Sequence, residues 1–466
     1  MHNTSIRGPI LIPRDGGRVD FIRDGVLAGD ERGVISFVGT WDDFRQRFPN
    51  ASPLRASDGV ICPPFLDAHI LIPQHPIRGH FMDGVPPNPD GGRLIAGLSR
   101  NVFPAEARCA DADYTKRCVQ QFLEDTLARG VVGGAAYMTV HIPAARIALD
   151  MLPDTWNVGP VLMNMNCPEY LRTDETTWQR DTEVLAHDFS KRLIITDRFA
   201  VAVDSKLRRE AVALATRLGL RMQTHLNEQI REKDSVERTL YPDAGTYTNV
   251  YERDGLLARD AILAHCVRMH AQEWKPLARR RAAVAHCPTS NTLLGSGVID
   301  LNALAGHGIE YALCTDVGAS PTTSVLVEMT QFLKVHRGRS NHASPSEALY
   351  RATLAPAKIL HIDDQVGRLE PGRPMSFIEV ACEPNELRSD SVDDVILAAL
   401  LDTSVRELDE FASRARGALD ELEQRGLDLG PELQLLSDEV NRTVARLENK
   451  VRRVVLHGRV VHENRV

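Results

Sequence analysis

From about residue 60 to about residue 360, eight short apolar runs alternate with longer amphipathic segments. The runs are VICPPFLDAHIL (60–71), VVGGAAYMTV (131–140), VGPVLMNMN (158–166), RLIITDRFAV (192–201), LRMQTHLNE (220–228), AILAHCV (261–267), AAVAHCP (282–288) and IEYALCTDVG (309–318). Segments between them, such as DSKLRREAVALATRLG (204–219), repeat apolar residues every three and four positions, the spacing of a helix with one buried face. Eight buried strands separated by helices predict an α/β fold, a (β/α)8 barrel.

Polar and reactive residues recur at one end of these runs: Asp67 and His69, Asn164 and Asn166, Arg198, His225 and Glu228, His265, His286 and Asp316. Any one of them alone is as well read as a core residue bonded to the backbone. A barrel strand is buried on both faces, however, and its C-terminal end opens on the mouth where such barrels do their chemistry. The recurrence therefore predicts a single site at that mouth.

The remaining chain divides around the barrel. Residues 1–60 (with GVISFVG at 33–39), 365–388 and 451–466 contain strand and hairpin material, predicting a small β-sandwich built from both chain ends. The barrel proper is assigned to 61–364, and 389–450 to a helical insertion. Within it, VRELDEFASRARGALDELEQRG and ELQLLSDEVNRTVARLENKV form a helical hairpin broken at Gly426 and at Gly430-Pro431. Packing of this hairpin on its own barrel is preferred to a dimer contact.

Composition narrows the functional classes. The chain is 43% hydrophobic and 25% charged with a net charge of -8, and its Lys and Arg are scattered, which argues against a nucleic-acid partner. No apolar run reaches the ~18 residues of a membrane helix. The stretch MHNTSIRGPILIPRDGG has no apolar signal core, and Cys62, Cys109, Cys118, Cys167, Cys266, Cys287, Cys314 and Cys382 show no paired spacing, so a cytoplasmic setting with reduced thiols is expected.

Several blocks carry a resemblance: VFPAEAR (102–108), MNMNCPEY (163–170), TDRFAV (196–201), QTHLNE (223–228), LYPDAGTYTNVY (240–251), HCPTSNTLLGSG (286–297) and CTDVGAS (314–320). With them the chain resembles the amidohydrolase superfamily, in the branch of cytosine and guanine deaminases and triazine hydrolases, and is most similar there to the guanine deaminases. The resemblance implies hydrolytic deamination of a purine-like heterocycle, guanine to xanthine and ammonia, and a homodimer. The alternatives are another nitrogen heterocycle (8-oxoguanine, a pterin, a triazine) or a metal-free purine-binding relative without turnover.

Removing an exocyclic amine needs water made nucleophilic near neutral pH, which one divalent metal, zinc first and iron(II) second, can achieve. His69, His225 and Asp316 are the expected ligands. Glu228 is placed as proton carrier, His265 as the group that polarises the water or steadies the intermediate, and Asp316 as ligand and acceptor. By the resemblance, Gln74 and Arg198 read the purine edge, with Phe199 and His225 beside it. Two positions depart from the pattern, the milder being Asn164, where the family block usually reads Asp. The family's first strand carries His-x-His, and here the second histidine is Leu71. The metal is then held by three ligands, with His265 moving in, or by His75 or His80 from the next loop, or not at all.

Overall fold

A computed structural model describes residues 4–51, 53, 55–57, 59–86, 93–426 and 430–464. Its centre is a ring of eight short parallel strands. They are Phe65–Leu71, Val131–Tyr137, a third strand interrupted at Pro160 (Trp156–Gly159 and Val161–Leu162), Ile194–Asp197, Arg221–Leu226, Ile262–His265, Ala283–His286 and Tyr311–Leu313. Consecutive strands pair in parallel around the ring, with a bridge between Val158 and Leu193 carrying the third to the fourth. The ring closes between the eighth strand and the first. There the Asp316 amide donates to the His69 carbonyl at 3.0 Å, and the Thr315 amide donates to the Asp67 carboxylate at 3.2 Å. Asp67 is thus a closing staple rather than a reactive group.

The runs that are apolar throughout became strands buried on both sides because each is covered outside by a helix and inside by the other strands. The second strand shows how tight this is: a Cβ added to Gly134 would lie 1.9 Å from the Asp67 carbonyl oxygen. The outer helices begin and end where the chain offers caps. Asp204 accepts from the Leu207 amide to start Ser205–Leu218, and Gly219, at φ 69°, ends it in the left-handed conformation.

Strands from both chain ends, including Thr4–Arg14, Arg18–Gly29, Ile35–Thr40, Phe377–Ala381, Val451–Leu456 and Arg459–Glu463, join one eight-stranded sheet beside the barrel. Helices Val405–Arg425 and Pro431–Leu447 lie against the outer helix Val325–His336, where Phe411, Leu419, Leu422 and Leu436 form an apolar cluster with Val335. Residues 427–429, inside the sequence-predicted break between the two helices, lie outside the described residues. Among the described residues, no helix is long and apolar enough to cross a membrane.

Candidate active site

His69 stands near the end of the first strand, His225 of the fifth and His265 of the sixth, while Asp316 lies just past the eighth. One nitrogen of each histidine and one oxygen of Asp316 all lie within 4.8 Å of one another. The orientation of two rings is set from behind. His225 Nδ1 donates to the Arg198 carbonyl at 2.7 Å, and His265 Nδ1 donates to Asn291 Oδ1 at 3.0 Å. With the proton on Nδ1, Nε2 offers its lone pair forward. The backbone contributes too: His265 at φ 72° and Asp316 at φ 53° occupy the left-handed region that L residues avoid.

The forward atoms are left without partners. His69 Nε2 and His265 Nε2 are buried and make no hydrogen bond, although His69 Nε2 comes within 3.3 Å of Asp316 Oδ1. Burial without a partner is costly for such atoms, and a divalent cation among them would remove the cost. The imidazole and carboxylate donors suit zinc or iron(II). Burial and neighbouring positive charge push His69 and His225 well below the usual histidine range, so both stand neutral, as ligands must. The cluster fits a divalent metal.

Glu228 sits beside it, its Oε2 3.6 Å from His265 Nε2 and its Oε1 3.4 Å from the Ser296 hydroxyl. Burial, helped by the Asp316 charge, pushes the Glu228 carboxyl up to about 8, and burial brings Asp316 to about 6. Such a displaced carboxyl beside unpartnered histidines is the electrostatic mark of a proton-transfer site.

His225, Glu228, His265 and Asp316 line a cavity together with Gln74, Arg198, Phe199 and the apolar Leu71, Phe81, Leu94, Leu98 and Leu294. Gln74 and Arg198 are organised by a residue that the sequence reading did not single out. Glu106, fully buried, accepts from Gln74 Nε2 at 3.0 Å and holds Arg198 Nη1 with both oxygens at 2.7 Å. Both side chains line the cavity. Gly318 makes room for this: a Cβ there would lie 2.3 Å from Gln74 Oε1. The signal for Glu106 was present in VFPAEAR, but nothing in its spacing marked it as a partner of Arg198.

Of the sequence-predicted site residues, Glu228, His265, Asp316, Gln74, Arg198, Phe199 and His225 line this cavity, and His69 joins them through its cluster with His225, His265 and Asp316. Four strand-end residues do not. Asn164 bonds Glu175 and the Asp204 amide, Asn166 bonds the Val201 carbonyl, His286 pairs with His336, and Asp67 closes the barrel. The substitute ligands fail as well. His75 is held 3.0 Å from Asp125 Oδ2, and His80 is exposed and pairs with Asp83. Instead, His265 joins the ligand cluster.

Residues 60–409 match the amidohydrolase family model. The chain belongs to the amidohydrolase family. A guanine deaminase of Escherichia coli is 31% identical over 373 residues, spanning 77% of this chain and 81% of that protein. The human guanine deaminase is 28% identical over 349 residues, 72% of this chain and 74% of that protein. Among solved structures, Escherichia coli guanine deaminase superposes with a TM-score of 0.79 at 24% identity, covering 99% of both chains. A guanine deaminase from C. acetobutylicum, with guanine bound in its active site, gives 0.76 at 22% identity, covering 98% of this amidohydrolase and 100% of that chain.

Proposed function

We propose that this amidohydrolase removes the exocyclic amine of guanine by hydrolysis, giving xanthine and ammonia. The observation that carries the reading is the division of the cavity. Glu106 fixes a recognition pair on one wall, and a cluster of three histidines and one aspartate, in which His69 Nε2 and His265 Nε2 have no partner, stands with Glu228 on the other. The guanidinium of Arg198 donates to a purine carbonyl, and Gln74 Oε1 accepts from a ring N–H. Guanine offers that carbonyl and N–H side by side; adenine, with an amine in place of the carbonyl, would set donor against donor. Phe199 and the leucines cover the faces of a flat ring.

His69, His225 and Asp316 would hold one divalent metal, zinc in our reading, with His265 as the fourth group in reach. When bound, it supplies the Lewis acidity that makes water nucleophilic near neutral pH. Glu228 takes one proton from the attacking water and gives it to the ring nitrogen beside the attacked carbon, then carries a second, from the hydroxyl of the resulting adduct, to the amine, so that ammonia leaves as the carbonyl forms. His265, fixed by Asn291 with its proton on Nδ1, accepts through Nε2 at the attacking oxygen's side, and Ser290 keeps Asp316 turned inward through a 2.6 Å hydrogen bond. Leu71 supplies no ligand, so a more easily stripped metal is the expected consequence.

The rest of the assignment belongs to the same reading. The terminal strands, one eight-stranded sheet read here as a small β-sandwich, gather Ile6, Ile10, Leu27, Ile61, Phe377 and Val455 in one apolar cluster, which supports that reading. The barrel domain is taken as 61–364. The enzyme works in the cytoplasm, and its homodimer would use a face other than the helical hairpin, whose apolar side is spent on its own barrel. The test is ammonia release from guanine, read beside metal content on one sample, with Glu228→Ala as the inactive reference. Metal bound with no ammonia above buffer would overturn the reading, and purine-dependent thermal stabilisation without turnover would assign a binding protein.

A further inference from the structure

The polar groups that hold Glu228, His265 and Asp316 come from a single segment. Ser290 Oγ donates to Asp316, Asn291 Oδ1 accepts from His265, and Ser296 Oγ donates to Glu228 Oε1 at 3.4 Å. Gln229 Nε2 adds a bond to the Leu294 carbonyl at 3.1 Å, and Leu294 itself lines the cavity. The first half of this segment is a short buried helix, Pro288–Leu293. Its second half is a turn with Gly295 at φ 70° and Gly297 at φ 136°, which has little stiffness of its own.

Arg268, three residues beyond His265 in the chain, supplies what the turn lacks. Its guanidinium spreads over three main-chain carbonyls: Nε donates to Ser296 at 2.6 Å, Nη1 to Glu423 at 2.6 Å and Nη2 to Leu422 at 2.8 Å. Leu422 and Glu423 are in the last turn of helix Val405–Arg425, the end of a helix that favours a cation, and the Leu422 carbonyl also accepts from the Gly426 amide at 3.1 Å. The approach is close enough to require glycine twice. A Cβ on Gly297 would lie 2.7 Å from Arg268 Nη2, and one on Gly426 would lie 2.6 Å from the Gly295 carbonyl oxygen. The second helix of the hairpin is anchored in turn to the barrel by Lys334, which donates to Glu439 and Thr443, both at 2.7 Å.

We infer that Arg268 is a positioning residue for the deamination, clamping the 294–297 turn to the end of the C-terminal helical hairpin and, through Ser296, holding the Glu228 carboxylate where it moves protons. The inference rests on the deaminase reading above. It makes the hairpin, remote in sequence from every catalytic group, part of the apparatus that aligns Glu228. A planar fork is needed because one ammonium cannot reach three diverging carbonyls.

The test compares Arg268→Met, Arg268→Lys and Ser296→Ala with the native full-length enzyme, with Arg337→Met as control. Arg337 bonds Asp409 near the other end of the same helix, at 2.7 Å, and is expected to leave turnover unchanged. Two things are measured: amide hydrogen exchange over 288–297 without substrate, and the kinetics of guanine deamination with metal content. Arg268→Met should speed exchange at 294–297 and lower kcat about tenfold or more, with KM within about twofold and metal retained. Arg268→Lys should recover part of kcat. Ser296→Ala, which leaves the clamp intact, should lower kcat without changing exchange, and it serves alone if Arg268→Met does not fold. Unchanged exchange in Arg268→Met overturns the clamp. Faster exchange with native kcat, or a native kcat in Ser296→Ala, overturns the positioning role. A native enzyme that releases no ammonia from guanine overturns the deaminase reading and the catalytic role together, while the exchange result still decides whether the clamp exists.

Discussion

The sixth and seventh barrel strands end in the same three residues, Ala264-His265-Cys266 and Ala285-His286-Cys287, yet their histidines have opposite fates. His265 turns into left-handed backbone at φ 72°, is fixed through Nδ1 by Asn291, and brings a bare Nε2 to the cavity. His286 stays in regular strand conformation, and its Nε2 lies 3.2 Å from Nε2 of His336 on the covering helix. Both are buried, and burial holds both below the usual histidine range, His286 at about 3. Burial and residue type therefore do not separate a site from a core. Each keeps one buried nitrogen without a partner, Nε2 in His265 and Nδ1 in His286, and what separates them is company: only that of His265 stands within reach of His69, His225 and Asp316, turned there by a strained backbone.

The sharpest way to break this comparison is to truncate both. His265→Ala should lower guanine turnover by about 10²-fold or more, the usual range for losing a group that acts on the attacking water. His286→Ala should keep turnover within a few-fold and instead lower stability by about 2 kcal/mol, the cost of a cavity and an unpaired His336. Steady-state kinetics and urea unfolding on the two variants decide it. Equal losses of turnover would mean that the free nitrogen of His265 has no special role.

Leu71 allows the comparison to be sharpened from the other side. It lines the cavity at the position where the sequence resemblance leads to the expectation of a second histidine. Leu71→His should place another free nitrogen beside His69 and slow loss of metal to a chelator by about tenfold. Unchanged metal retention would mean that His265 already completes the ligand set. On the recognition wall, Gly318→Ala should raise KM for guanine about tenfold, because its Cβ would displace Gln74 from 2.3 Å away and the backbone at φ 123° resists any side chain. Metal content should not change.

Much of this was legible in the sequence, and the reasons are uneven. The barrel was legible because a strand buried on both faces must be apolar along its whole length, and eight such runs leave few other folds. His69, His225, His265 and Asp316 were legible because each stands at a strand end. Asn164, Asn166 and His286 stand at strand ends too, and sequence cannot show that Glu175, Val201 and His336 already engage a side-chain nitrogen of each. Glu106 was hidden for a related reason. It is 92 residues from Arg198, and only the packed barrel brings their charges to 2.7 Å. Patterns along the chain report which side chains can meet at the mouth; hydrogen bonds between distant segments decide which remain available there.

The smallest effect is expected at His75, a histidine already paired within the protein, on the loop that also carries Gln74. Asp125 holds it at 3.0 Å and also pairs with Arg129 and accepts from Thr323 at 2.9 Å. Burial alone would raise the Asp125 carboxyl, but His75, Arg129 and Arg78 outweigh it and bring the group down to about 2. A carboxylate whose pKa is lower folded than unfolded binds its proton more readily in the unfolded chain. Its contribution is therefore complete above the unfolded value near 4, and it is lost as pH falls from about 4 toward about 2. Allowing for partial solvent screening, Asp125→Asn should cost about 1–2 kcal/mol at pH 7. The gap between native and variant urea midpoints should close as pH falls through that window, with metal content at pH 7 unaltered. A gap that persists undiminished below about pH 3 would mean that Asp125 acts by shape and hydrogen bonding rather than by charge, and that the loop bearing Gln74 is not held electrostatically.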